Sequence, residues 1–272
     1  FEVGTSTITD TREAQARFDL VIAQEIAAEN DLRVKRIALD QLVGKPGTAP
    51  KALALPAKLP DVLPADVNLW VTQSQEQHPS IKAAQIALDV AKLETEKAQA
   101  GHKPTLDATL SYNVTHNTNG SASSGLNSRT NNATLGLAFN LPLFAGYATQ
   151  NRIKETLQLE DKAQNDLEAA KRSIAQATRT AYFGVLSGLG QVKALEAAEA
   201  SSQSALDANK LGYQVGVRIN IDVLNSQSQL FQTKRDLAKA RYDVLVGGLK
   251  LRQANGTLKA EDLNTVNALL AK

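Results

Sequence analysis

Cysteine and methionine are both absent from these 272 residues, which excludes a disulfide scaffold and every thiolate metal site. With no methionine even at position 1, the chain is expected to be a processed product or a fragment. No run of 18 or more apolar residues occurs, so no helix is expected to cross a bilayer, whereas a β-barrel stays open because its strands are short and alternate. Charge of one sign is missing too. The 30 basic and 28 acidic residues are mixed along the chain and leave a net +2, too little to gather nucleic acid. His78, His102 and His116 have no second histidine at ligand spacing, and neither a nucleophile elbow nor a phosphate-cradling glycine loop is present. No enzymatic activity, cofactor or metal is expected.

Proline is missing after Pro142, so the C-terminal half can be nearly all helix. It is crowded instead at Pro46, Pro50, Pro56, Pro60 and Pro64, which reads as an extended connector over 45–70 between a helix ending at Gly44 and the next one. Residues 71–100 are rich in Ala, Gln, Glu, Lys and Leu, and Gly101 and Pro104 supply a stop; a helical segment is expected over 71–105.

From Leu106 the period becomes two. Leu106, Ala108, Leu110, Tyr112 and Val114 alternate with polar residues, and Ala133, Leu135, Leu137, Phe139 and Leu141 form one face of a second run. Residues 106–142 therefore predict a hairpin whose runs approach the roughly 9 to 11 residues a tilted strand needs to cross a bilayer. The polar stretch from His116 to Asn132 suits an outer-face loop. A soluble sandwich hairpin fits the same runs, and two strands close no barrel, so the membrane reading needs several protomers or further strands.

Residues 143–256 predict a long coiled-coil hairpin. Leu167, Ala170, Ile174, Ala177, Ala181, Val185, Leu189 and Val192 advance by threes and fours, and a helix over 148–211 would be roughly 95 Å long. Gly184, Gly188 and Gly190 are where a bend or an end is expected if there is one. After a tip near 212–222, Val223, Leu230, Leu237, Val244 and Leu251 recur every seven residues. A shift of 212 residues lays Phe1 to Asp10 on Tyr213 to Asp222, with Val3 and Gly4 on Val215 and Gly216, Asp31 on Asp243 and Gly44 on Gly256. That is an internal repeat. It leads to the expectation that segment 1–44 ends a first copy whose earlier part, with two more strands, lies before Phe1.

Three segments carry a resemblance: Gly101 to Asp107, Leu141 to Gly146, and above all Gly212 to Leu224. Together they resemble the TolC family of outer-membrane efflux proteins over essentially the whole chain. The resemblance implies a mainly α protein with a membrane β-barrel portion: a homotrimer giving four strands per protomer to one twelve-stranded barrel, long helices continuing it as a periplasmic tunnel, and a belt made by the connector and segment 257–272. It implies export of small molecules or proteins, by efflux or type I secretion. The implied partners are outer-membrane lipid, a periplasmic adaptor (membrane fusion) protein and an inner-membrane ABC or proton-driven pump. The runner-up is a structural coiled coil, a filament subunit or an adaptor, without channel activity.

The resemblance further implies a gate in which Tyr213 and Arg218 hold Thr9 and Asp10, and a pore constriction at Asp222 and Asn225. The chain departs from the pattern at Asn225, where the best-known member has aspartate. Helix capping is the plainer role for Asp10 with Glu13, and for Asn220 or Asp222. The glycine turns Val3–Gly4 and Val215–Gly216 are expected to receive adaptor hairpins, because glycine admits close backbone approach.

Overall fold

The computed structural model describes residues 8–56, 58–117 and 128–271, and divides into two units, residues 1–78 with 174–272 and residues 79–173. The elements in order are α1 (Ile8–Val43), α2 (Val67–Gln77), α3 (Pro79–Ala100), β1 (Thr105–Asn117), β2 (Ser128–Asn140), α4 (Ala148–Gln214), α5 (Asn220–Asn255) and α6 (Asp262–Asn267). No described helix is long and apolar enough to cross a membrane.

The helical segment expected over 71–105 is two helices. His78 adopts an extended conformation, φ −65° and ψ 126°, because the ring of Pro79 excludes the α region for the residue before it. The N-cap of α2 is Asp66, whose carboxylate accepts from the Asn68 N–H at 2.8 Å. The helix therefore starts four residues earlier than its composition suggests.

In the first unit α4 and α5 form a hairpin around a core of Tyr182, Val185, Val192, Leu237, Ala240, Val244 and Leu251, with Trp70 of α2 added at one side. The heptad stripe Leu230, Leu237, Val244 and Leu251 is buried as its spacing requires. On α4 the expected seam is displaced in the middle: Ala177 is exposed, while Ala175, Thr178 and Tyr182 are buried. The reason is polar. The Thr178 hydroxyl donates to the Ala254 carbonyl at 3.2 Å, and the Tyr182 hydroxyl donates to the carbonyl of Ala65. Both groups bury without loss because they are bonded.

α4 runs 67 residues through all three of its central glycines. Two of the hairpin's glycines are packing positions rather than breaks. A Cβ on Gly188 would lie 2.8 Å from Val244 Cγ2, and one on Gly247 would lie 3.2 Å from Val185 Cγ2. Each valine thus fills the space left by a glycine on the facing helix, which lets the backbones approach.

The connector is tied to this core. Trp70 Nε1 donates to Pro64 O at 2.9 Å, Leu53 N donates to Tyr242 Oη at 3.2 Å, and Leu53 bridges antiparallel to Leu270 near the C-terminus. Ala54 N donates to Leu269 O at 2.9 Å and Ala271 N to Ala52 O at 2.8 Å. The connector and the segment after α5 therefore pair with each other.

In the second unit β1 and β2 pair antiparallel from Thr105↔Asn140 to Asn117↔Ser128. Pairing extends into polar residues assigned to the loop from sequence, since main-chain bonds continue a ladder whatever the side chains. The register sets Leu106 opposite Phe139, Ala108 opposite Leu137, Leu110 opposite Leu135 and Tyr112 opposite Ala133. Opposite residues share a face, so the apolar sets of both strands coincide. That face is bare: Leu110 is 80% exposed and Leu135 77%. α3 buries Ile81, Leu88 and Thr95, again seven residues apart.

Candidate functional site

Of the residues singled out from sequence, Tyr213, Val215, Gly216, Arg218, Asp222 and Asn225 lie where α4 turns into α5. The turn is closed by one carbonyl: Gly212 O accepts from Val217 N at 2.9 Å and from Arg218 N at 3.1 Å. Gly216 has φ 80°, a left-handed conformation natural to glycine. Around it Leu211, Val215, Val217 and Ile219 are exposed, an apolar collar on a polar tip. Val215 and Gly216 thus present an open turn, with nothing within 4 Å of a Cβ built at 216.

Arg218 lies back over Gly212. A Cβ there would come 2.7 Å from Arg218 Cγ, so only glycine leaves room for the arginine's stem. Its guanidinium then reaches Asp222 in the first turn of α5, Nη1 to Oδ2 3.6 Å, with side chains 57% and 33% exposed. Ion pairs this wet contribute about 0 to 1 kcal/mol. Asp222 is not the helix cap: the N-cap is Ile219, with no side-chain cap bond, so neither Asn220 nor Asp222 caps α5 by its side chain. Asp222 instead sits in the first turn, where the helix dipole favours a carboxylate. Below it, Asn209 Nδ2 of α4 donates to Ser226 Oγ of α5, which donates to Asp222 O at 2.8 Å.

Tyr213 is 47% exposed. Thr9 is exposed on the first turn of α1. Val3, Gly4 and the side chain of Asp10 lie outside the described residues. The Glu13 carboxylate meets Arg17, one turn on, at 3.5 Å. Asn225, expected at the constriction, has an unforeseen partner: Arg17 Nη1 donates to Asn225 Oδ1 at 2.8 Å across 208 residues of sequence. Sequence reasoning missed Arg17 and the role of Gly212. The 212-residue shift, which aligns Glu13 with Asn225, was the available signal for the first.

Away from the tip, Arg241 of α5 pairs with Glu196 of α4 at 2.8 Å. Among the described residues no group of three or more His, Cys, Asp or Glu is placed to hold a metal. Asp40, in the last turn of α1, accepts from Gly47 N at 2.9 Å and Thr48 N at 2.8 Å. The Gly47 bond first, then the Thr48 bond, holds its carboxyl below the ordinary carboxylate range.

The family model described as "Outer membrane efflux protein" matches residues 70–257. The chain is 35% identical over 268 residues to outer membrane protein TolC of Vibrio cholerae, covering 98% of this chain and 61% of that one. It is 30% identical to the alkaline protease secretion protein AprF of Pseudomonas aeruginosa, covering 98% and 56%. It thus spans less than two thirds of the curated relatives it matches. The open-state structure of the Neisseria gonorrhoeae MtrE outer membrane channel superposes with TM-score 0.72 at 22% identity, covering 95% of this chain and 58% of that one.

Proposed function

We infer function from one premise: the chain belongs to the outer membrane efflux protein family. It is accordingly a bacterial outer-membrane protein whose mostly helical fold, with few strands, is that of solved outer membrane channels. We propose that it forms, as a homotrimer, a channel-tunnel that exports small molecules or proteins without any catalytic step. A periplasmic adaptor and an inner-membrane ABC or proton-driven pump load it from the other side.

The observation that carries this reading is the β1–β2 ribbon. A two-stranded ribbon is marginal by itself in water, and this one gathers Leu106, Leu110, Tyr112, Leu135, Leu137 and Phe139 on one bare face. Lipid suits that face, and closure with further strands satisfies both edges. The belt of the tunnel is the connector with segment 257–272, and the tips of α1 and α5 close its periplasmic end.

Thr9, Asp10, Tyr213 and Arg218 form the gate in this proposal. Asp222 and Asn225 line the constriction, and Val3, Gly4, Val215 and Gly216 receive the adaptor. Arg218 and Asp222 already lie close enough to exchange partners when the tip moves. Threefold symmetry gathers three Asp222 carboxylates at one axis, which favours cations.

The test is conductance of the full-length protein in planar bilayers. Tyr213→Phe with Arg218→Ser should raise it severalfold without an adaptor, and Asp222→Asn should remove most of the cation preference in reversal potential. A soluble parent that inserts no channel overturns the reading in favour of a structural coiled coil.

A further inference from the structure

We propose that Arg17 is a positioning residue of the gate: a latch that ties α1 to α5 through the Asn225 side chain and releases when the tips part. The proposal rests on the channel reading above. Arg17 serves two acceptors at once, Asn225 Oδ1 at 2.8 Å and Glu13 Oε1 at 3.5 Å, as the planar guanidinium fork permits. Under the 212-residue shift Glu13 and Asn225 are the same position of the two copies. One guanidinium therefore bridges equivalent points of both.

The bridge is one-sided. The position equivalent to Arg17 in α5 is Gln229, whose amide donates within its own helix to Thr233 Oγ1 at 3.4 Å. The latch thus comes from the first copy alone, and the symmetry of the repeat is broken here.

Packing shows why a side-chain bond matters at this level. Beside Arg17 the two helices enclose a cleft of about 740 Å³, lined by Phe18, Val21, Leu224 and Phe231 among others. Within these 272 residues Phe18 and Phe231 stay 60% and 58% exposed. A joint held by interdigitated apolar side chains resists parting over its whole area, whereas one with an open cleft behind a polar bond parts when that bond breaks. The acceptor on Asn225 is neutral and Arg17 is 37% exposed, so the bond is modest and reversible.

The experiment uses the full-length trimer in planar bilayers. Arg17→Gln should raise adaptor-free conductance about two- to fivefold, the size of one modest bond per protomer. Charge removal near a pore can also change conductance, so a second variant separates the two effects. These 272 residues contain no cysteine, and Arg17→Cys with Asn225→Cys can be bridged by a short bis-methanethiosulfonate reagent. The bridged form should conduct at or below the parent level and rise to the Arg17→Gln level on reduction. Equal conductance of parent and Arg17→Gln, or of bridged and reduced forms, overturns the latch while leaving the channel standing. A parent that never conducts overturns both.

Discussion

α1 and α5 are two copies of one helix that met different surroundings. Each is 36 residues long, and the 212-residue shift that matches their sequences also matches Ile8 to Asn220 and Val43 to Asn255. Each stops at a left-handed glycine, Gly44 with φ 71° and Gly256 with φ 77°. Yet within these 272 residues α5 buries Leu230, Leu237, Val244 and Leu251, whereas Phe18 and Leu32, equivalent to Leu230 and Val244, are 60% and 51% exposed. Where a helix begins and ends is settled by signals within a turn of its ends. What it buries depends on the surface it meets.

The turns after the two helices sharpen the point. The N–H of residue 47 and that of its counterpart 259 are each capped by a carboxylate, Asp40 Oδ2 at 2.9 Å and Asp262 Oδ2 at 2.8 Å. The position equivalent to Asp40 is Arg252, which holds Asp262 in an ion pair. The same backbone donor is thus satisfied from before the turn in one copy and from beyond it in the other. A backbone group needs a partner, and the sequence supplying it is free to change.

The matched helices can be set against each other directly. In a protein of residues 1–272 alone, Leu230→Ala should cost about 2 to 4 kcal/mol, because its side chain is lost from a packed site, while the equivalent Phe18→Ala should cost under about 1 kcal/mol at its exposed site. Denaturant unfolding of the detergent-solubilised protein measures both, and equal losses would break the comparison by showing α1 to be as firmly packed as α5.

A smaller effect separates two glycines of α4. Gly188→Ala should destabilise by about 1 to 3 kcal/mol through the clash with Val244, and Val244→Ala should relieve part of it. Gly184→Ala, with open space around the new methyl, should instead stabilise by about 0.5 to 1 kcal/mol. The same unfolding measurement decides, and a neutral Gly188→Ala would show the hairpin backbones less closely apposed than the reciprocal valine contacts imply.

The smallest effect distinguishes the two turns by pH. Asp40 has a lowered folded pKa, so its hold on the turn is present above the ordinary carboxylate range and is lost as pH falls through the lowered value. Amide exchange at Gly47 and Thr48 should be protected at neutral pH and lose that protection in acid, and Asp40→Asn should remove most of this pH dependence. Protection unchanged by Asp40→Asn would mean the turn holds itself without the carboxylate.

Most elements are legible in the sequence because they follow from local rules. Proline-free length marked α4, alternation marked β1 and β2, and the repeat marked the bounds of α5 through those of α1. The miss at His78 was local as well, since Pro79 was there to be read as a boundary. The displaced seam of α4 is of another kind: Ala177 has the right period, but Thr178 and Tyr182 are buried because the carbonyls of Ala254 and Ala65 lie where their hydroxyls reach.

By itself the sequence determined where most of the helices and strands run, which residues of the two strands share a face, and that two segments 212 residues apart are copies. Each of these depends on neighbours within a few residues, or on periodicity, and a linear string contains both. Tertiary structure alone decided that Gly188 and Val244 interlock, that Arg218 folds over Gly212 to meet Asp222, and that Arg17 reaches Asn225. Contacts such as Arg17 with Asn225 join groups far apart along the chain, and their existence turns on a few ångströms of approach between helices, a distance that no residue spacing encodes.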